Sequence, residues 1–399
     1  MSESPWLTVM GVGEDGLDGL SPANRQVLDR AEVIMGPPRH LSLLPEAGAE
    51  RVEWPVPFSD GLPILQGLRG KQTVVLASGD PFWFGAGSVI ARNFDAGEWT
   101  ALPGQSTFSL AAARLGWPLE STLTFGLHAA PLTRLRPHLA PSLHAILLLR
   151  DGKAVAELAT YLTETGFADS ALHVMQALGG PRENIQTVTL TEALLGTFDH
   201  PVCVGLEVTG AGRALSKASG KPDDIFETDG QITKRPIRAL TLSALAPQRG
   251  EHLWDIGGGT GSISIEWLMC DPTLTATSIE PRADRAERIR RNADALGQDR
   301  LNVIHGTAPD VLDGLEPPDV VFIGGGLSPD LLTWLQGSLP SGTRLVANAV
   351  TLDSEAMLSL WQEKLGGDLL RIELAQSAPL GPRRGWKSAY PVVQWSVTL

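Results

Sequence analysis

A short acidic and glycine-rich stretch in the second half of the chain has the residue types needed to bind a ligand. It consists of Asp255, Ile256, Gly257, Gly258, Gly259, Thr260 and Gly261. Glycines permit a tight turn and let a ligand approach the backbone closely. The residues before it are apolar, and residues 262–268 are typical of a helix whose first N–H groups would face negative ligand atoms. The stretch therefore predicts a strand, a turn and a helix that together could hold a ligand.

Three interpretations of this stretch compete. It could be a glycine-rich turn without a ligand, or a dinucleotide site with the pattern G-x-G-x-x-G. The dinucleotide pattern fails in both registers, because Ser262 and Ser264 occupy its last position. The pattern D-x-G-x-G-x-G is matched in full, and it resembles the S-adenosylmethionine (SAM) loop of class I methyltransferases. That resemblance implies SAM as the ligand.

Features downstream of the glycine loop favour the SAM interpretation. Glu280 ends a predicted strand over 275–279, where an acid would accept hydrogen bonds from both ribose hydroxyls. Thr307 and Ala308 follow the next predicted strand, and in the family this loop packs on the adenine ring. A fourth strand, 318–323, ends in three glycines. Ligands of such sheets sit beyond the carboxyl ends of the strands, where all these features fall.

A second set of loops with the same kind of chemistry lies in the first half of the chain. The residues concerned are Gly11, Gly13, Gly79, Asp80, Pro81, Gly85, Ser106 and Thr107. Ordinary α/β turns would explain each loop singly. Their combination resembles the tetrapyrrole methylases, a class III methyltransferase fold in which SAM lies between two α/β lobes. The resemblance implies further contacts near Ala177 and Leu178, although Glu14-Asp15 stands where many members have Pro-Gly.

The elements that must position these residues alternate between strands and helices. In the first half we predict strands over 6–13, 31–36, 73–77, 144–149, 170–175 and 202–208, with helices starting at Ser21-Pro22 and covering 108–115 and 154–162. The fold class is therefore predicted as α/β. Its N-terminal part would be a two-lobed class III tetrapyrrole methylase fold, and its C-terminal part a class I Rossmann-like methyltransferase fold.

The division of the chain is predicted from composition. Residues 1–212 would form the tetrapyrrole methylase domain, 213–222 a linker rich in Gly, Lys and Ser, and 223–399 the class I domain. The beginning of the second domain, with an apolar helix face from Ile237, resembles the cobalamin-pathway decarboxylating methyltransferases. That resemblance implies that Thr233 touches SAM. The arginine-rich helix over 282–296 is interpreted as a solvated face rather than a substrate surface.

Cations near the C-terminus allow two interpretations. Arg383, Arg384 and Lys387 lie beside Trp386 in a segment predicted as a loop between the last two strands. They could form a solvated hairpin loop. They could also pair with substrate carboxylates, a role that suits arginine because its guanidinium binds carboxylates through two hydrogen bonds.

Composition limits the partners and the compartment. The 399-residue chain has a net charge of −13 and no strongly basic domain, so no nucleic-acid partner is expected. No apolar run is long enough to span a membrane, and the first six residues do not resemble a signal peptide. The two cysteines, Cys203 and Cys270, lack metal-site spacing and fit a reducing cytoplasm. We expect a cytoplasmic homo-oligomer without a bound metal.

The occurrence of both methyltransferase types on one chain resembles the bifunctional enzymes of cobalamin synthesis. It implies methylation of a precorrin tetrapyrrole at carbons 5 and 15 with decarboxylation of an acetate arm. Two alternatives remain open: methylation of another anionic tetrapyrrole such as uroporphyrinogen, and a non-catalytic tetrapyrrole carrier. No catalytic side chain is assigned, because the methyl donor is already electrophilic; His305 is interpreted as structural.

Overall fold

The computed structural model describes residues 5–45 and 48–399, which group into two compact units. The first unit ends at Arg213 but leaves out Pro131–His138. The second unit contains that short segment together with Ala214–Leu399. The segment 213–222, predicted as a linker, includes Leu215 and Lys221, both of which are buried.

The first unit opens with a parallel five-stranded sheet in the order β3-β2-β4-β1-β5. Its strands are β1 (Leu7–Val12), β2 (Val33–Gly36), β3 (Glu50–Glu53), β4 (Thr73–Ser78) and β5 (Trp99–Leu102). Its helices are α1 (Pro22–Asp29), α2 (Pro38–Ser42), α3 (Gly61–Gln66) and α4 (Gly87–Asn93). Helix α1 begins as predicted, since the Ser21 hydroxyl accepts a hydrogen bond from the Asn24 N–H and Pro22 occupies the first turn. Strand β1 is buried along its whole length and lies between β4 and β5, so its glycine-rich end is inside the sheet rather than at its edge.

The rest of the first unit forms a second lobe around a mixed sheet in the order β6-β7-β10-β8-β9. Its elements are α5 (Thr107–Leu115), β6 (Leu123–Gly126), β7 (His144–Leu148), α6 (Lys153–Glu164), β8 (Ala171–Gln176), β9 (Asn184–Thr189), α7 (Leu190–Leu195) and β10 (Val202–Glu207). Helix α6 buries one face through Val155, Leu158 and Leu162. Strands β6 and β7 are parallel, and the other pairs are antiparallel.

The second unit contains a seven-stranded sheet in the order β13-β12-β11-β14-β15-β19-β16. Its helices are α8 (Arg235–Leu245), α9 (Ser262–Leu268), α10 (Ala283–Ala295), α11 (Pro329–Ser338) and α12 (Leu352–Leu365). Its strands are β11 (His252–Ile256), β12 (Thr275–Glu280), β13 (Asn302–His305), β14 (Val320–Ile323), β15 (Arg344–Ala349), β16 (Asp368–Ile372) and β19 (Val392–Thr398). A separate hairpin pairs β17 (Ala375–Leu380) with β18 (Arg383–Ser388). The first five strands of the sheet order are parallel, whereas β19 runs antiparallel to both its neighbours.

The order of the parallel strands places the glycine loop at a defined point. Strands β12 and β13 add to one side of β11, whereas β14 and β15 add to its other side. Strands β11 and β14 therefore flank the crevice where ligands of such sheets bind. Both faces of the sheet are covered, and Trp254, Trp267 and Trp395 are fully buried. The predicted α/β fold class is confirmed for both units. Within the described residues, none of the helices combines the length and the apolar character needed to cross a bilayer.

Two local predictions need correction. The segment with Arg383, Arg384 and Lys387 is strand β18 rather than a loop, because β17 supplies it with an antiparallel partner. The arginine row of α10 is only partly solvated: the Arg285 and Arg288 side chains are 17% and 12% exposed. Both arginines form ion pairs with Asp229, which is far from them in the sequence.

Candidate functional site

The glycine loop between β11 and α9 needs glycine for two different reasons. Gly257, Gly259 and Gly261 all have φ between +60° and +74°, where side chains are strained. A Cβ on Gly257 would lie 2.6 Å from the Gly325 backbone, and one on Gly261 would lie 2.7 Å from Ile289. At Gly259 the nearest neighbour of such an atom is 3.9 Å away. Gly257 and Gly261 therefore allow close packing, whereas Gly259 leaves space open for a ligand.

Asp255 supports this loop from beneath. Its side chain is buried at the end of β11, and the Ser264 hydroxyl of α9 donates a hydrogen bond to its carboxylate. Burial raises the pKa of Asp255 to about 6, since desolvation disfavours the charged form, while the hydrogen bonds from Ser264 act in the opposite direction. The acid that begins the motif thus ties the strand to the helix.

Glu280, at the end of β12, also contacts the loop. One carboxylate oxygen accepts the Gly259 N–H at 2.8 Å, and the other accepts the Arg282 N–H at 3.0 Å. The residue is only 3% exposed. A carboxylate offers about four acceptor positions, so it retains capacity for two hydroxyl donors.

A cavity of about 1580 Å³ opens above these residues and lies entirely within the second unit. The sequence-predicted residues on its wall are Thr233, Asp255, Gly257, Gly258, Gly259, Thr260, Glu280, Thr307, Ala308 and Lys387. Gly261, Arg383 and Arg384 do not line it. Sequence reasoning missed Asn348 and Tyr390, which line the cavity from the antiparallel side of the sheet and carried no motif.

The wall that carries Thr233 is held by a buried ion pair. Arg238 of α8 and Glu266 of α9 have fully buried side chains, and the Arg238 Nε donates to Glu266 at 2.6 Å. Glu266 also accepts the N–H groups of Gly220 and Lys221 at 2.7 and 2.8 Å. Arg238 donates in addition to the carbonyl of Thr233. The ion pair thus anchors both ends of the segment 220–233, which borders the cavity.

The three C-terminal cations have different surroundings. Lys387 lines the cavity, and no ion pair engages it among the described residues. The Arg384 guanidinium donates to the Ser377 hydroxyl and carbonyl at 2.8 and 2.9 Å, so it braces the hairpin. Of these three cations, Lys387 is therefore the one best placed to meet a ligand.

The first unit has its own cavity, of about 260 Å³, between its two lobes. The predicted residues on its wall are Gly13, Gly79, Asp80, Gly85, Ser106, Thr107 and Leu178. Gly11, Pro81 and Ala177 do not line it. A Cβ on Gly11 would be 1.8 Å from the Gly79 carbonyl oxygen, so glycine is required where these two loops meet. The N–H of Ala177 donates to the carbonyl of Pro201, another cavity residue.

Sequence reasoning missed four residues of this cavity with charged or imidazole side chains, namely Glu14, Arg39, His128 and His200. Glu14 pairs with Arg39 and, at 3.2 Å, with Arg182. The only sequence feature that pointed to Glu14 was its position where many family members have Pro-Gly. Arg182 is 168 positions away, so spacing could not reveal that the two residues form an ion pair. The two histidines carried no recognisable motif.

Comparison with known proteins agrees with this arrangement. Residues 7–194 match the family described as Tetrapyrrole (Corrin/Porphyrin) Methylases, and residues 224–399 match the Precorrin methyltransferase domain. The chain therefore joins two methyltransferase domains of different folds.

Full-length relatives define the family more narrowly. A precorrin-6Y C(5,15)-methyltransferase [decarboxylating] from Sinorhizobium sp is 47% identical over 99% of this chain and 97% of its own. One from Mycobacterium tuberculosis is 43% identical over 98% of this chain and 99% of its own. The cobalt-precorrin-6B C(15)-methyltransferase (decarboxylating) of Salmonella typhimurium is 32% identical, covering 40% of this chain and 85% of its own. The chain belongs to the precorrin-6Y C(5,15)-methyltransferase [decarboxylating] family.

Proposed function

We propose that this chain methylates a precorrin at ring carbons 5 and 15 and removes one acetate carboxyl group as carbon dioxide, in cobalamin synthesis. The observation that carries the proposal is the presence of two separate cavities, each lined by loops typical of its methyltransferase class. The first unit would act at carbon 5. The second would act at carbon 15 and decarboxylate, because the name of the shorter relative joins these two activities in a protein that covers 40% of this chain.

SAM fits the residues of both cavities. When bound, it supplies an electrophilic methyl group. In the second unit, the open space at Gly259 would admit the ligand, Glu280 would accept its ribose hydroxyls, and Thr307 and Ala308 would border its adenine ring. Thr233 would close the site from the opposite wall. Alignment of the two reactants is the main contribution expected of the protein.

In the first unit, the cofactor residues come from both lobes. The proposed contacts from the first lobe are at Gly13, Gly79, Asp80 and Gly85, and those from the second are at Ser106, Thr107 and Leu178. We propose that Gly11, Pro81 and Ala177 act through the backbone geometry of these loops.

The substrate would be held by local positive charge. A precorrin carries several carboxylates, and Lys387 lies on the wall of the larger cavity, where no ion pair engages it within the described part of the chain. We propose that Lys387 binds one of these carboxylates and that Arg383 and Arg384 act at the outer edge of the hairpin. A carboxylate held away from bulk water loses carbon dioxide more readily when the conjugated ring accepts the remaining electron pair.

Three further proposals concern organisation. We propose domains at 1–212 and 223–399 with a connection over 213–222, supported by the separation of the chain into two units near Arg213. We propose a homo-oligomer, supported by the large exposed side chains of Leu380, Trp386 and Tyr390 on and beside the hairpin. We propose a cytoplasmic location, with no nucleic-acid or membrane partner.

Two SAM molecules should bind per chain, with distinct affinities, because each unit has an independent cavity. Calorimetry on the intact protein measures the stoichiometry. Incubation with SAM and a reduced corrin precursor, followed by mass spectrometry, should show two added methyl groups and the loss of one carbon dioxide. A single binding site, or methylation of uroporphyrinogen in preference to the corrin precursor, would contradict the proposed function. Tetrapyrrole binding without any mass change would indicate a carrier.

Replacing Glu280 with alanine should weaken SAM binding at the second site by about one to two decades. The change removes charge-assisted hydrogen bonds worth roughly 1.5–3 kcal/mol. Calorimetry would measure both sites in one titration, and the site of the first unit serves as an internal reference. Glu287→Ala removes an exposed acid from α10 and should leave both affinities unchanged. Equal weakening at both sites would argue against a direct role for Glu280.

A further inference from the structure

Methyl transfer to a bridging ring carbon creates a need for a base. Such a carbon carries one hydrogen, and its enamine-like electron pair forms the new carbon–carbon bond as the methyl–sulfur bond breaks. The pair of electrons from that broken bond stays on sulfur. The ring then bears a positive charge until the hydrogen leaves as a proton. A side chain that is neutral near pH 7 and accepts a proton would accelerate this last step.

Most titratable groups around the first-unit cavity are committed elsewhere. Glu14 is paired with Arg39 and Arg182. Asp80 is one of the proposed SAM contacts, and its carboxylate accepts the Phe82 N–H at 2.8 Å within its own turn. Burial raises the pKa of the Cys203 thiol to about 12, so it stays protonated. The groups that remain are the imidazoles of His128 and His200.

The two histidines differ in their electrostatic surroundings. Burial lowers the pKa of His200, and the nearby positive charge of Arg39 lowers it further. Arg39 would therefore oppose the charge that His200 acquires on taking a proton. The pKa of His128 is lowered by partial burial alone, so the imidazole is neutral near pH 7 without a cation beside it.

The backbone holds His128 against the predicted cofactor loop. It follows β6, where the Leu127 N–H donates to the Leu148 carbonyl at 2.9 Å. Gly126 packs closely against Phe84, since a Cβ added to Gly126 would lie 2.7 Å from the Phe84 ring. Phe84 has a φ of +57° and itself lines the cavity. Among the described residues, no hydrogen bond or ion pair engages the His128 imidazole, and part of the residue is exposed to solvent.

We propose that His128 is the general base of the first-unit site and takes the proton from the newly methylated ring carbon. The proposal rests on the proposed function. The proton moves from carbon to the free imidazole nitrogen, the carbon–hydrogen electron pair restores ring conjugation, and the imidazolium releases its proton to the adjoining solvent. No oxidant, reductant or further reactant is needed.

His128→Ala in the full chain should slow methylation at carbon 5 by about 10²- to 10⁴-fold, the usual contribution of a general base. Product formation is followed by NMR with SAM that carries a ¹³C methyl group, which separates carbon 5 from carbon 15. Added imidazole should restore the rate, and substituted imidazoles should restore it in the order of their basicity. SAM affinity at this site, measured by calorimetry, should be unchanged. In the native protein the rate should fall as the pH drops through the pKa of His128, and the variant rescued by imidazole should follow the pKa of the added base instead.

Several controls make the outcome decisive. His128→Asn tests the same loss with a smaller change of shape, and His144→Asn removes a histidine of the same unit that lies outside the cavity. Carbon 5 methylation that is undiminished in both His128 variants would overturn the proposal, as would rescue by imidazole of His200→Asn but not of His128→Ala. Absence of carbon 5 methylation in the native protein would instead contradict the proposed function.

Discussion

Replacing Gly259 with valine is expected to abolish methylation at carbon 15 and to leave the carbon dioxide on the substrate, while carbon 5 is still methylated. A Cβ at this position would lie 3.9 Å from its nearest neighbour, the Gly257 carbonyl oxygen, and Gly259 itself lines the cavity. Valine would therefore exclude the ligand without displacing the neighbouring loops. The products are read by mass spectrometry after incubation with SAM and corrin precursor.

The backbone conformation requires a matched control for this experiment. Gly259 has a φ of +60°, where a non-glycine residue costs about 1–2 kcal/mol. Gly314 has a φ of +81°, a Cβ added there would meet no heavy atom within 4 Å, and the residue does not line the cavity. Gly314→Val imposes comparable strain in the same unit and should retain both reactions. Full release of carbon dioxide by the Gly259→Val protein would show that decarboxylation does not require SAM at the second-unit site.

Glu266→Ala should destabilise the second unit by about 3–5 kcal/mol, the usual effect of removing one member of a buried ion pair. The change leaves the fully buried Arg238 guanidinium without its 2.6 Å partner. It also leaves the N–H groups of Gly220 and Lys221 without acceptors. Because Arg238 also binds the carbonyl of Thr233, the cavity wall should loosen and SAM affinity should fall at this site.

The stability change should be measured within the full chain, since two units need not unfold in one step. Hydrogen exchange resolved by peptides reports the second unit separately from the first. Asp284→Ala provides the control, because Asp284 and Arg282 are more than half exposed and such pairs contribute about 0–1 kcal/mol. A Glu266→Ala protein with protection equal to that of the control would show that the pair does not anchor this wall.

The sequence alone determined the fold class and the loops that face each cavity. These features depend on local properties of the chain. Asp255 and Glu280 end buried strands, and Gly257, Gly259 and Gly261 adopt conformations that glycine accommodates. Because the carboxyl ends of parallel strands meet at one edge of a sheet, local motifs in the right order were enough to predict a shared site.

Tertiary structure decided the interactions between residues that no local pattern connects. Glu14 and Arg182 are 168 positions apart, and Arg238 and Glu266 meet only because α8 and α9 enclose their side chains. Strand β18 forms because β17 offers it hydrogen-bond partners, although its own sequence is polar and rich in arginine. His128 and Phe84 line the first-unit cavity together, and Gly126, two residues before His128, packs against Phe84. Such contacts form only where segments that are distant in the sequence meet in the fold. Their contribution to the free energy of unfolding depends on how deeply this packing buries the polar groups involved.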